Sequence, residues 1–152
     1  MTIKTCSDLI IPVVQGVMSI LSSALKRGNT LKRFILTSSA ATVFEQNPVP
    51  RVFNESNWNN SAVEAVKTKG PAAGAFRIYC ASKTLAEKAA WEFVAARFSE
   101  ISWDLVALNP PWIFGARLSF AAFSFTAETS MHVYSHRSAP HRQLTTSIPL
   151  SV

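Results

Sequence analysis

Apolar positions in the first part of the chain recur with a helical period. Ile10, Val13, Val17, Ile20, Leu21 and Ala24 fall on one face of a helix. Ser7 and Asp8 precede them, and both residue types cap helix N-termini well. Lys26 and Arg27 sit where positive charge suits the carboxyl end of the helix dipole, and Gly28 is a natural stop. Pro12 falls in the first turns, where proline is best tolerated. The pattern therefore predicts an amphipathic helix with signals at both ends.

The period then changes. Residues 31–37 form a short apolar run after a helix, which predicts a buried strand of the kind found in parallel sheets covered on both faces. The run ends in Thr37, Ser38, Ser39, Ala40 and Ala41. Ligands of open parallel sheets bind beyond the carboxyl ends of strands, so these hydroxyls are well placed to meet one, although they can equally cap or turn the chain. Residues 45–75 are rich in Pro, Asn and Gly and read as a long connection, with a short helix possible over 62–67. Phe53 and Trp58 are candidates for pinning this connection to the body of the domain.

A second helix is predicted over residues 84–98, where Leu85, Ala86, Ala89, Ala90, Phe93 and Val94 follow the helical period. A second buried strand follows at residues 105–108, running into a turn at residues 109–115. The order helix, strand, loop, helix, strand is that of an α/β fold with a parallel sheet. The crossover rule places both strand ends on one edge, so Ser39, Tyr79 and the turn after Leu108 are expected to converge.

Composition narrows the picture little. A chain of 152 residues, 48% of them hydrophobic, suits one globular domain. The net charge of +6 is spread in ones and twos, without the basic run that nucleic-acid binding would favour. Cys6 and Cys80 make no disulfide framework and no zinc-ligand spacing, which fits a reducing, cytoplasmic compartment. His132 and His136 share metal-ligand spacing but lack a nearby acidic third ligand, and no metal is expected. Residues 9–25 are interrupted by Pro12, Gln15, Gly16 and small polar residues, so they read as a soluble helix rather than a membrane span or signal peptide.

The candidate chemistry lies in Tyr79-Cys80-Ala81-Ser82-Lys83. A tyrosine and a lysine four residues apart share a helix face. A phenol is a poor acid at neutral pH, and a neighbouring ammonium eases release of its proton. Such pairs also occur on ordinary helices, so the pair needs partners elsewhere in the chain.

Those partners carry a resemblance. Residues 31–41 (LKRFILTSSAA), 53–58 (FNESNW), 79–91 (YCASKTLAEKAAW) and 108–115 (LNPPWIFG) resemble, in order, the extended short-chain dehydrogenase/reductase superfamily. The likeness is greatest to fungal aldehyde and ketone reductases and to plant dihydroflavonol and cinnamoyl-CoA reductases, and it spans about residues 7 to 115.

The resemblance implies that Tyr79 is the general acid in carbonyl reduction. Lys83 would assist it and bind the nicotinamide ribose, and Ser39 would hold the substrate carbonyl, with Ser38 supporting the turn. Tyr79, Lys83, Pro110, Pro111, Trp112 and Ile113 would contact the cofactor, NADP or NAD, with NADP favoured. The implied activity is reduction of a small-molecule aldehyde or ketone. A catalytically silent reductase fragment is the second reading, and nucleotide-sugar epimerase or dehydratase chemistry the third.

Relative to the family, the chain is truncated at both ends. Its glycines (Gly16, Gly28, Gly70, Gly74 and Gly115) form no Gly-rich pyrophosphate turn. The expected fold is a partial Rossmann-like parallel sheet with flanking helices, lacking the Gly-rich half. Residues 1–115 would form this partial domain, and residues 116–152 a disordered or unrelated tail. A small sheet with open edges is expected to be marginally stable or to self-associate through its edge.

Overall fold

The computed structural model describes residues 6–45 and 52–112, together with the strand His136–Ser138. Helix α1 spans Ser7–Arg27, strand β1 Arg33–Thr37, helix α2 Asn60–Lys69, helix α3 Ala75–Ala96, strand β2 Asp104–Leu108 and strand β3 His136–Ser138. Strands β1 and β2 pair in parallel, from Arg33 opposite Asp104 to Thr37 opposite Leu108. This is the α/β fold with a parallel strand pair that the sequence pattern predicts.

Strand β3 extends the sheet on the far side of β2, antiparallel, with Val106 opposite Ser138. It comes from the segment expected to form a tail, and the rest of that segment lies outside the described residues.

Boundaries differ from the sequence reading in instructive ways. Helix α1 begins directly after Cys6, and no side chain caps it, so Ser7 and Asp8 are inside the first turn rather than at the cap. Pro12 is the sixth residue of the helix. Its missing N–H removes one bond to the preceding turn, yet the helix continues through it to Arg27. By length and composition α1 would also suffice to cross a membrane. Here it lies along α3, with Val17, Met18, Leu21, Ala24 and Leu25 in a shared core.

Helix α3 starts nine residues before the periodic segment, immediately after Gly74, whose φ of +90° suits glycine. The extension matters because it places Tyr79 and Lys83 within the helix. The connection over 45–75 contains α2 and a 3₁₀ turn at Gly70–Ala73, so it is far from structureless. The two aromatics do pin it: Phe53 packs on Phe44 with ring centroids 5.7 Å apart, and the Lys88 ammonium lies 5.2 Å from the Trp58 ring centroid.

The main core joins Leu21 of α1, Ala90, Phe93 and Val94 of α3, and Trp103 and Leu105 at β2. Phe34 of β1 joins it through a tilted ring contact with Trp103, centroids 5.4 Å apart. Leu21 and Leu105 have no exposed surface. Complete burial of such a side chain contributes about 1.5–3 kcal/mol. The parallel pair is thus held on one face by both long helices, and this fixes where the strand ends lie relative to α3.

Candidate active site

The site is built where β1 and β2 end. The ladder continues past the strands: the Ser38 amide donates to the Leu108 carbonyl at 2.7 Å, and the Ala40 amide to the Pro110 carbonyl at 3.1 Å. Ser39 follows in extended conformation (φ −160°, ψ 148°), and the chain then turns into a 3₁₀ helix at Ala40–Thr42. Ser39 Oγ caps that turn by accepting from the Ala41 amide at 3.2 Å. Asn59 fastens the turn from outside. Its Nδ2 donates to the carbonyls of Ala41 and Phe44, and its Oδ1 caps α2 at the Ala62 amide.

Helix α3 brings Tyr79 to this turn. Its phenol donates to Ser39 Oγ at 3.4 Å. Ser39 is 7% exposed and Tyr79 39%, so the contact lies at the surface with the phenol open to a ligand. Ser39 Oγ accepts from both Ala41 and Tyr79, and a serine hydroxyl has one proton to give. That proton is committed to no acceptor among the described residues, which leaves it for an incoming oxygen. Lys83, half-buried, follows one turn along the same face of α3.

Behind this surface lies a buried polar network. Glu87, 1% exposed, accepts at Oε2 from Ser38 Oγ at 2.6 Å and from Asn109 Nδ2 at 2.8 Å. Asn109 Nδ2 also reaches Thr42 Oγ1 at 2.6 Å and the Ser39 carbonyl at 3.0 Å. Thr42 Oγ1 donates to the same carbonyl at 3.0 Å. Trp91 Nε1 lies 3.4 Å from Glu87 Oε1.

The structure therefore brings together Ser39 and Tyr79, with Lys83 beside them and Ser38 bound from behind. Pro110 and Pro111 lie partly buried after β2, and Trp112 is 69% exposed. Ile113 lies outside the described residues. Sequence reasoning expected the turn beginning at Asn109 to converge on Ser39, as it does, but gave neither Asn109 nor Glu87 a role. The available signal was a glutamate at four-residue spacing from Lys83, on a helix side otherwise lined with small and apolar residues.

The residues present fit the nicotinamide end of a dinucleotide: two hydroxyls and an ammonium line the carboxyl edge of a parallel strand pair. Gly16 lies within α1, Gly28 follows its end, and Gly70 begins and Gly74 follows the 3₁₀ turn before α3. None of these described glycines forms a strand-to-helix turn able to cradle a pyrophosphate. Among the described residues no cluster of three metal-ligating side chains occurs.

No protein-family model matches the chain. It is 39% identical over 115 residues to the NADPH-dependent methylglyoxal reductase of Saccharomyces cerevisiae, a match covering 73% of this chain and 32% of that protein. It is also 39% identical over 115 residues to an anthocyanidin reductase of Vitis vinifera, covering 74% and 31% respectively. Among solved structures, the yeast methylglyoxal/isovaleraldehyde reductase complexed with NADPH superposes with a TM-score of 0.67 at 37% identity. That superposition covers 78% of this chain and 35% of the other. The chain thus spans about a third of the length of the curated relatives it matches. These relatives bear out the resemblance to reductases of the extended short-chain dehydrogenase type, and the neighbouring structures bear out the Rossmann-like α/β fold.

Proposed function

We propose, from the homology of this chain to a segment of those reductases, that it carries the proton-donating half of an NADPH-dependent carbonyl reductase site. The observation that supports this most is the contact of Tyr79 with Ser39 at the end of β1. The Ser39 proton holds the carbonyl oxygen of a small aldehyde or ketone. Tyr79 gives its proton to that oxygen as the alcohol forms, a role for general acids worth about 10²–10⁴-fold in rate. Lys83 binds the nicotinamide ribose. Pro110, Pro111 and Trp112 line the nicotinamide. The cofactor, when bound, supplies the hydride. NADP is favoured over NAD because the relatives' names specify NADPH.

Saturable binding of NADPH to the purified chain at micromolar concentration, with aldehyde-dependent NADPH oxidation, is the expected result. Absence of binding up to millimolar cofactor would overturn the reading and leave the silent-fragment alternative.

The same reading places the protein in the cytoplasm, without nucleic-acid or membrane partners. Strand β1 lies at the edge of the described sheet, and its Ile35 is 57% exposed. This supports self-association through that edge, since unpaired strand edges recruit other strands. A single monomer mass by light scattering across the micromolar range would exclude it.

A further inference from the structure

We infer that Glu87 is a positioning residue that sets the distance between Ser39 and Tyr79. The inference rests on the reading that these two hydroxyls act together. Glu87 and Tyr79 belong to one helix, eight residues and so about 12 Å of rise apart. The Glu87 carboxylate grips the chain on both sides of the Ser39 hydroxyl. It holds Ser38 directly through Oγ, and it orients the Asn109 amide, which with Thr42 secures the Ser39 carbonyl. The helix that carries the acid thus also carries the clamp that fixes its partner.

Two observations favour positioning over plain stabilisation. The hydroxyl contact of 3.4 Å is already long for an O–H···O bond, so a small drift of the Ser39 turn breaks it. The network also has a cost. A buried carboxyl group is expensive even when bonded, and Asn109 Oδ1 is buried with no partner among the described residues. An apolar contact would join helix and strands with less penalty, but it would not fix a hydroxyl's place.

The test uses the full chain labelled with ¹³C at the tyrosine ring carbon bearing the hydroxyl. The sequence has two tyrosines, and Tyr134→Phe assigns the Tyr79 resonance. Glu87→Gln is expected to move that resonance in the direction that Ser39→Ala moves it, and to move it no further once Ser39 is alanine. An unmoved resonance, or an equal shift in both backgrounds, overturns the inference. If circular dichroism shows that Glu87→Gln does not fold, Ser38→Ala carries the same comparison, because it removes one bond and leaves the carboxyl group with Asn109.

In turnover, Glu87→Gln is expected to lower kcat about ten- to a hundredfold while KM for the carbonyl substrate stays within about twofold. A rise in KM at unchanged kcat overturns the inference. If the unsubstituted chain turns over no carbonyl, the proposed function fails by itself, and the resonance comparison still decides the role of Glu87.

Discussion

The phenol of Tyr79 meets the hydroxyl of Ser39 at 3.4 Å across a separation of 40 residues. Neither side chain reaches out to make the contact. Ser39 is delivered by the last turn of the β1–β2 ladder and Tyr79 by the second turn of α3, so the meeting is a property of the fold. Tyr79 is exposed enough that its hydroxyl contributes little to the core. Tyr79→Phe is therefore expected to fold normally and to lower kcat for carbonyl reduction about 10²–10⁴-fold. Turnover and circular dichroism on the same preparation check this, and unchanged turnover would remove Tyr79 as the acid.

Cys80 stands next to Tyr79 but points the other way, into the small cluster with Ala62 and Ala81. Burial pushes its thiol above the ordinary value near 9, against smaller opposing effects from its backbone bond and from Arg77. The thiolate is the reactive form, so Cys80 is expected to alkylate much more slowly than partly exposed Cys6 at pH 8. Mass spectrometry after timed iodoacetamide treatment reads the difference, and denaturant should abolish it. The sign also sets a stability trend. The unfolded thiol ionises as pH rises past about 9 while the folded one resists, so this group's contribution to stability falls above that pH.

Leu105 has no exposed surface and touches the shared core of α1 and α3. Leu105→Ala is expected to cost about 2–5 kcal/mol. Domains of this size are stable by only about 5–15 kcal/mol, so the substitution should remove a large part of the cooperative transition. Urea unfolding followed by tryptophan fluorescence measures it. A loss much below 1 kcal/mol would mean that the sheet face is less closely packed than its burial indicates.

Arg33 and Asp104 face each other where the parallel pair begins, joined by contacts of 2.6, 2.9 and 3.1 Å. The geometry is bidentate, and Asp104 raises the proton affinity of the guanidinium. Both groups are in contact with water, however, and exposed pairs are screened. Asp104→Asn is expected to lower the melting temperature slightly at low salt and not at all in 1 M salt. A loss that persists in high salt would show that the bond, rather than the charge, aligns the strands.

Much of the arrangement was legible in the residues. The helix at α1, the buried strand at β2 and the Tyr79–Lys83 spacing each follow from local rules and survive in the structure. The run at residues 31–37 does form a strand, but not the buried one its apolar character predicts. Strand β1 is an edge strand with Ile35 57% exposed, because no further strand pairs with it among the described residues, and Ile20 of α1 is likewise exposed rather than on the packed face. The start of α3 was not legible, because residues 75–78 carry no period of their own and are helical by extension from Tyr79 onward. Strand β3 was not legible either, since His136, Arg137 and Ser138 lack strand character and depend on an available edge. The Glu87 network was hidden for another reason. A glutamate on a helix ordinarily faces water, and only the parallel pairing of strands that bracket α3 in sequence buries this one against Ser38 and Asn109.

Strands β1 and β2 form the parallel pair of the sheet, yet Arg33 and Asp104 are 71 residues apart. On a ribosome adding about 5–20 residues per second, β1 emerges roughly 4–14 s before its partner exists. Helix α1 is complete by then, and Phe34 and Leu36 belong to the same core cluster as its Met18 and Leu25. The first helix can therefore shelter the strand during synthesis, well before the Ser39 turn has Tyr79 to face.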